Sequence, residues 1–257
     1  MLTFDDNGKA IAIVEGGEYD GEIISINDNN KKKRLDPSDI NAKFLVIDEG
    51  KMIPLPSMET RQVIYVAGPS GSGKSTYSSM QAQQYRKMNP KNAIYLFSRV
   101  DNDVVFDGKF NPPIIRIKID NSLLTHPIDI TKQIKSGCLI IFDDIDTIQD
   151  EKLKKAVIKL ENDILEIGRH QDIYIICCSH LINGNDKKLS RTMLNEAHTL
   201  TFFPKSGSTY QINYCLKNYM GLGKKQIDYI LGINSRWVTL GKSCPQYMIW
   251  ENGVCLL

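Results

Sequence analysis

The amino-acid sequence predicts an α/β protein with a mostly parallel sheet that is flanked by helices. Strand-like and helix-like segments alternate from Val63 to about Phe203, and such alternation is typical of parallel strands joined by crossover helices. Two strand-like segments, 138–142 and 173–178, are almost continuously apolar. Continuous apolar runs of this length are expected of central strands that are buried on both faces.

The first 60 residues differ from the rest of the chain. Three short strand-like segments occur there, at 9–14, 21–26 and 43–47. A polar, basic stretch at 27–39 separates the last two of them, which indicates a loop. The sequence therefore predicts a small β-rich region over residues 1–60 and one larger domain over residues 61–257.

The spacing of apolar residues predicts the order of elements in the larger domain. Strands are predicted at 63–67, 93–97, 114–119, 138–142, 173–178 and 199–203. Helices are predicted at 76–88, 152–167, 190–197, 210–219 and 224–231. The end of the chain, 246–257, is interpreted as a β-hairpin that turns on Asn252-Gly253.

A glycine-rich loop between the first strand and the first helix of this domain fits G-x-x-x-x-G-K-[ST] in full, the Walker A pattern. Its glycines allow backbone N–H groups to curve around an anion. Lys74 is expected to reach the β- and γ-phosphates of ATP, and the Ser75 hydroxyl to bind Mg²⁺. The predicted nucleotide-binding residues are Gly68, Pro69, Ser70, Gly71, Ser72, Gly73, Lys74, Ser75 and Thr76. The alternative is a glycine- and serine-rich turn without a ligand.

The run from Leu139 to Asp144 consists of four apolar residues followed by two carboxylates, which is the Walker B pattern. Asp143 is expected to hold Mg²⁺ through water, and Asp144 to polarise the attacking water as a general base. The alternative is an apolar strand that ends in two aspartates by chance. Small-molecule kinases and GTPases usually place the Walker A and Walker B strands side by side, whereas ATPase motors insert a strand between them. The long separation of Lys74 and Asp143 leaves room for such an insertion and favours the motor class.

Two further kinds of catalytic residue are predicted. His180 follows the predicted strand at 173–178, where motor ATPases carry a polar residue that senses the γ-phosphate. Arg169 and Arg191 are candidates for an arginine finger that reaches the ATP of a neighbouring subunit, because the transition state spreads negative charge over the γ-phosphoryl oxygens. Arg99 is a weaker candidate. The alternatives are a histidine that caps the strand end and arginines in surface salt bridges.

Taken together, these motifs resemble those of the poxvirus-type genome-packaging ATPases of large DNA viruses and virophages, within the FtsK–HerA superfamily of P-loop DNA translocases. The resemblance rests on 68–75, on 141–144, and on Gly168-Arg169-His170 leading into 172–176, and it covers roughly residues 60–205. Related translocases typically carry Gln at the position of His180.

This resemblance implies a P-loop NTPase fold of the ASCE/RecA-like type, with ATP and Mg²⁺ as cofactors. It implies ATP hydrolysis coupled to the movement of double-stranded DNA into a preformed capsid. It further implies a homo-oligomeric ring, pentameric or hexameric, and contacts with capsid vertex or portal-like proteins. A virion or a viral factory in the host cell is the expected location.

Composition limits the other possibilities. The net charge of +2 gives no overall basic field, so DNA contacts are expected from local clusters, although a charge run is usually a solvated face. The candidate clusters are Lys31-Lys32-Lys33-Arg34, Lys152 with Lys154 and Lys155, and Lys187-Lys188. The six cysteines are scattered without metal-ligand spacing or a pairing rhythm, and several lie in apolar runs, which indicates a reducing, cytoplasmic setting. No apolar run approaches the ~20 residues that a membrane-spanning helix needs.

Two alternative functions remain open. A small-molecule or nucleotide kinase could use the same loop, but kinases need a lid that is often rich in arginine. The two candidate lids, 183–188 and 207–210, contain no arginine. A nucleotide-dependent interaction module without hydrolysis is the other alternative, and it would not need the carboxylate of Asp144.

Overall fold

The structure is a computed structural model that describes residues 1–4, 8–27, 43–180 and 187–257; over residues 187–191 it describes the helix but not the side chains. A four-stranded antiparallel sheet contains β1 (Leu2–Phe4), β2 (Lys9–Glu15), β3 (Ile23–Ile26) and β5 (Lys51–Pro54). A ten-stranded sheet contains β4 (Phe44–Val46), β6 (Val63–Ala67), β7 (Ile94–Ser98), β8 (Ile115–Lys118), β9 (Leu139–Phe142), β10 (Tyr174–Ser179), β11 (Thr199–Phe202), β12 (Val238–Gly241), β13 (Tyr247–Trp250) and β14 (Gly253–Leu256). The helices are α1 (Lys74–Met88), α2 (Ser122–Thr125), α3 (Ile130–Gln133), α4 (Glu151–Ile167), α5 (Lys187–Glu196), α6 (Thr209–Tyr219) and α7 (Lys224–Gly232).

The parallel part of the large sheet runs in the order β11-β6-β10-β9-β7-β8. Strand β10 therefore lies between β6, which precedes the Walker A loop, and β9, which carries the Walker B pattern. An inserted strand was expected for the motor class, and the structure contains it. The strand that is inserted follows Walker B in the chain, whereas the strands between the two motifs, β7 and β8, lie beyond β9.

The other part of the large sheet is antiparallel and runs β12-β13-β14-β4 beyond β11. Strand β12 was not predicted, although all four of its residues are buried. The predicted C-terminal hairpin is present as β13 and β14, but its turn differs from the expectation. Trp250 pairs with Gly253, so the two-residue loop is Glu251-Asn252 and Gly253 already belongs to the strand.

The first 60 residues contribute to both sheets. Strands β1, β2, β3 and β5 form the separate antiparallel sheet, as a β-rich region predicts. Strand β4, however, pairs with β14 at the end of the large sheet. A division of the chain at residue 60 remains a prediction.

The large sheet is covered on both faces, and this arrangement fixes the position of the loop after β6. One hydrophobic cluster joins Val63 and Tyr65 to apolar residues of α4, α5, α6 and α7. A second cluster joins Ile64 and Val66 to α1 and to the four-stranded sheet. Consecutive residues of β6 point to opposite faces of the sheet, so the two clusters together bury the whole strand. The buried strand fixes the position at which the following loop begins.

Candidate nucleotide-binding site

The loop between β6 and α1 has the backbone that a phosphate-binding loop requires. Gly71 and Gly73 adopt left-handed conformations, with φ of 75° and 107°, which residues with a Cβ rarely adopt. A Cβ on Gly68 would lie 2.6 Å from Ser72 Oγ and 2.7 Å from the ring of Phe203. Glycine is therefore needed at 71 and 73 for the turn, and at 68 for close packing.

Lys74 begins α1 and lies across this loop. Its side chain is only 5% exposed, and Nζ donates a hydrogen bond of 3.3 Å to the carbonyl oxygen of Pro69. Nζ also lies 3.6 Å from Asp144 Oδ1. The structure thus brings the predicted Walker A lysine and the predicted general base into direct contact.

Asp143 is the buried member of the two Walker B carboxylates. It is 8% exposed, and Oδ1 has no hydrogen-bond partner within the described residues. Burial, and then the neighbouring charge of Asp144, raise the pKa of Asp143 to about 6. A buried carboxylate oxygen without a partner, one residue from a lysine-paired carboxylate, fits the oxygen ligands that Mg²⁺ prefers.

Asp144 differs from Asp143 in both exposure and backbone. Its side chain is 37% exposed, and its backbone has φ of 53° and ψ of 38°. This left-handed conformation is uncommon outside glycine, although aspartate tolerates it better than most residues. It turns the carboxylate toward Lys74 and to 3.5 Å from His180 Nδ1. Such strained backbone is often found at functional sites.

Asp146 belongs to the site and was missed by the sequence analysis. Its Oδ2 accepts hydrogen bonds from Ser179 Oγ (2.9 Å) and from the backbone N–H of His180 (2.8 Å). Its Oδ1 lies 3.3 Å from His180 Nδ1. The sequence signal was available, since Asp146 follows Asp143 and Asp144 after one apolar residue, but only the fold shows that it holds the end of β10.

His180 therefore lies where a γ-phosphate sensor was expected, at the carboxyl end of β10. The same strand end is tied to the phosphate loop, because the backbone N–H of Gly68 donates to the carbonyl oxygen of Ser179 (3.1 Å). Lys74, Asp143, Asp144 and His180 thus converge at one edge of the sheet. The sensing role of His180 stays a prediction.

The two candidate arginines are not part of this convergence. Arg169 is exposed in the 3-10 turn Gly168–Gln171, and its Nε donates to the neighbouring His170 (3.4 Å). Its charge acts on Arg61, which lies two residues before β6, so Arg169 is at the opposite edge of the sheet from Lys74. Arg191 lies in α5, and its side chain is outside the described residues.

Other predictions can be placed only in part. Lys152 and Lys155 are exposed near the start of α4, whereas residues 31–34 and the side chains of 187–188 lie outside the described part of the chain. All six cysteines are unpaired thiols. Across the described ranges, no helix has both the length and the apolar character that crossing a membrane would take.

Comparison with known proteins identifies one close relative and the fold. No family model matches the chain. The protein named "Uncharacterized protein V3" of Sputnik virophage is 46% identical over 253 residues, which are 98% of this chain and 97% of the relative.

A solved structure of the genome packaging NTPase B204 from Sulfolobus turreted icosahedral virus 2 shares the fold. The complex with ATP-gammaS has a TM-score of 0.50 at 11% identity and matches 75% of this chain and 98% of B204. The complex with AMPPCP has a TM-score of 0.49 at 10% identity over the same shares. The predicted P-loop NTPase fold is thereby confirmed, and at 46% identity over nearly its whole length the chain belongs to the family of Sputnik virophage protein V3.

Proposed function

We propose that this chain is an ATP-hydrolysing motor that moves double-stranded DNA into a viral capsid. The observation that carries the proposal is the position of β10 between β6 and β9, together with the convergence of Lys74, Asp144 and His180 at the ends of these strands. A second carboxylate beside the buried one is what ATP hydrolysis needs and what phosphate binding alone does not.

The residues divide the work of hydrolysis. The backbone of residues 68–73 and Lys74 bind the phosphates. Ser75 and Asp143 would hold Mg²⁺, which would neutralise charge on the phosphate oxygens. Asp144 is partly exposed and accepts the proton of the attacking water. A bound phosphate offers Lys74 a new partner, and Asp144 is then free to act on water.

His180 links hydrolysis to movement in this proposal. Its ring lies between the carboxylates of Asp144 and Asp146, so a change in the charge near Asp144 acts on the end of β10. Loss of the γ-phosphate would therefore act on the end of β10, which Asp146 holds through Ser179 and His180.

The DNA substrate and the assembly are supported by the relatives. Protein V3 comes from a virophage, and B204 is named a genome packaging NTPase. We propose a homo-oligomeric ring, pentameric or hexameric, that binds double-stranded DNA and docks on a capsid vertex or portal-like protein in the virion or viral factory. Exposed Lys152 and Lys155 are available for phosphate contacts.

The first test measures ATP hydrolysis with and without double-stranded DNA. We expect DNA to stimulate phosphate release by the wild-type protein. Lys74→Ala should abolish hydrolysis and weaken ATP binding, because it removes the cation that contacts the β/γ-phosphates. Lys87→Ala, which removes an exposed lysine at the far end of α1, is the matched control and should leave both unchanged.

Two results would contradict the proposal. Normal hydrolysis in Lys74→Ala would remove the loop from the reaction. The other result combines two measurements. A protein that stays monomeric with an ATP analogue, and that transfers phosphate from ATP to a small-molecule acceptor and not to water, would be a kinase.

A further inference from the structure

A cavity lies directly beside the phosphate-binding loop, between the start of α1 and the segment that enters β12. Its volume is about 160 Å³, and an apolar cavity of about 150 Å³ is large enough to hold benzene. Gly73 and Thr76 form one rim of the cavity, and Tyr77, Met80 and Trp237 form its wall. The cavity therefore begins where the loop ends and has room for a planar ring.

The aromatic wall is preformed. The rings of Tyr77 and Trp237 meet edge to face, with 5.3 Å between their centroids. The hydroxyls of Tyr77 and Thr239 share a hydrogen bond of 2.7 Å. Both rings are almost completely buried, so they offer a fixed apolar surface of the kind that lines ligand sites.

Three cations surround the same space, together with the carboxylates of Glu15 and Glu251. Arg236 and Lys51 line both the cavity and an open cleft of about 440 Å³ that adjoins it along Gly71 and Ser72, and Lys205 lines the cleft. Across the described residues, none of the three charged groups forms a hydrogen bond or an ion pair. Lys51 and Lys205 beside Gly71 and Ser72 favour an anionic group at the loop, whereas the planar guanidinium of Arg236 can stack on a ring.

Glu251 fixes the segment that carries Arg236. Its Oε2 accepts hydrogen bonds from the backbone N–H of Arg236 (2.8 Å) and from Ser235 Oγ (3.1 Å). The carbonyl oxygen of Glu251 accepts from the backbone N–H of Met52 in β5 (2.7 Å). The C-terminal hairpin and the four-stranded sheet thus meet at the mouth of the cavity.

Building on the function proposed above, we propose that this cavity binds the base and ribose of the nucleotide whose phosphates bind to residues 68–75. Thr76 and Tyr77 follow the loop immediately, so a nucleoside that extends from the phosphates reaches this cavity first. Tyr77 and Trp237 contact one side of the base, and the planar guanidinium of Arg236 stacks on the other. Lys51 brings the N-terminal sheet into the same site.

The test compares two ligands that share phosphates but differ in the nucleoside. Binding of ATPγS and of inorganic tripolyphosphate is measured for the wild-type protein, Arg236→Ala and Met80→Trp. Arg236 is exposed and Met80 is half-buried, so both variants should fold. We expect each variant to weaken ATPγS about tenfold, in the range of a stacking contact or a filled pocket, and to leave tripolyphosphate unchanged. Lys224→Ala, an exposed cation of α7, is the matched control.

Fluorescence gives a second readout that does not depend on affinity. The chain has two tryptophans, so Trp250→Phe leaves Trp237 as the single reporter. ATPγS should change its emission, and tripolyphosphate should not.

The outcomes separate this inference from the proposed function. If Arg236→Ala weakens the binding of ATPγS and of tripolyphosphate equally, Arg236 is a phosphate contact and the cavity assignment is overturned. If it weakens the binding of neither ligand, the assignment is also overturned. Lys74→Ala should weaken both ligands. If Lys74→Ala leaves both unchanged, the proposed function fails, whatever Arg236→Ala does.

Discussion

The two ends of strand β6 differ in what the fold gathers around them. At its carboxyl end, Asp144 lies within contact distance of both Lys74 and His180. At its amino end, the guanidinium of Arg61 donates to the carbonyl oxygens of Ile164 and Leu165 at the end of α4 (3.4 and 2.7 Å). The carboxyl end brings together groups that can take part in catalysis. The amino end provides hydrogen-bond donors for the last carbonyl oxygens of α4.

This difference limits where the predicted arginine finger could come from. The Gly168-Arg169-His170 signature follows α4 and therefore lies at the amino end, with Arg169 exposed. Its guanidinium cannot serve the nucleotide of its own subunit across a buried strand. If Arg169 is catalytic, it acts on a second copy of the chain.

A mixing experiment tests whether Arg169 acts on a second subunit, and it has the largest expected effect. Arg169→Ala should bind ATP normally but hydrolyse it at least about a thousandfold more slowly, because a trans arginine finger contributes on that order to kcat. Mixing it with Lys74→Ala should recover activity, since mixed rings contain interfaces with one intact loop and one intact arginine. Steady-state phosphate release of the mixtures is the measurement.

Two further variants show which arginine acts on the second subunit. Arg191→Ala is tested in the same way, because it is the other candidate. Arg116→Ala removes an arginine of β8 that is paired with Asp107 and should hydrolyse ATP normally. Absence of rescue for Arg169→Ala would mean that the amino end of β6 supplies no arginine to a second subunit.

The next largest effect concerns the two carboxylates at the other end. Asp144→Asn keeps the buried Asp143 and should bind ATP and Mg²⁺, yet lose roughly 100-fold or more in rate because the general base is gone. Asp143→Asn should instead weaken Mg²⁺-dependent nucleotide binding. Binding and turnover are measured on both variants, and the reverse pattern would exchange their roles.

A smaller effect is expected for Asp146→Asn. It removes the carboxylate that orients Ser179 and His180, and kcat should fall about tenfold with little change in ATP affinity, as for the loss of one or two charge-assisted hydrogen bonds. In a His180→Ala background the substitution should have almost no further effect. Additive losses would show that Asp146 acts independently of His180. Asp101→Asn, from an exposed ion pair with Lys118, is the control.

The last effect is on stability rather than on rate, and it arises between the two ends. Glu161 of α4 is completely buried and accepts a hydrogen bond from Cys177 Sγ in β10 (2.9 Å). Burial raises the pKa of Glu161 to about 7 from an ordinary value of 4.5, and the charge of Asp146 also raises it. The folded state therefore binds a proton that the unfolded state has lost, and stability falls as pH rises from about 4.5 through about 7.

Glu161→Gln should remove this loss of stability at high pH, because glutamine does not ionise. We expect the variant to gain on the order of 3 kcal/mol relative to wild type at pH 8, and much less at pH 5. Urea unfolding at the two pH values measures the difference. Glu166→Gln, from an exposed position of the same helix, should show no such pH dependence, and an equal gain in both variants would contradict the assignment.

The sequence was sufficient for those parts of the fold and site that depend on neighbours in the chain. The Walker A loop needs only the glycines, Lys74 and the flanking strand and helix, all within one short segment. Strand β12 was not predicted because it has only four residues and ends in glycine. The pairing of β4 with β14 was not predicted because the two strands are distant in sequence. Asp146 and Arg236 were missed for the same reason, since their importance comes from side chains and backbone that the fold brings to them.

Strand β4 has a consequence for how the protein is made. Its partner is β14 at residues 253–255, so residues 44–46 leave the ribosome early and must wait for nearly the whole remaining chain. Until then its half-exposed Phe44 and Val46 have no partner strand, and unpaired edges of this kind promote association between chains. In the proposed ring, subunits would therefore be exposed to wrong pairing during synthesis, and completion of the sheet by β14 would mark the moment at which a subunit becomes ready to assemble.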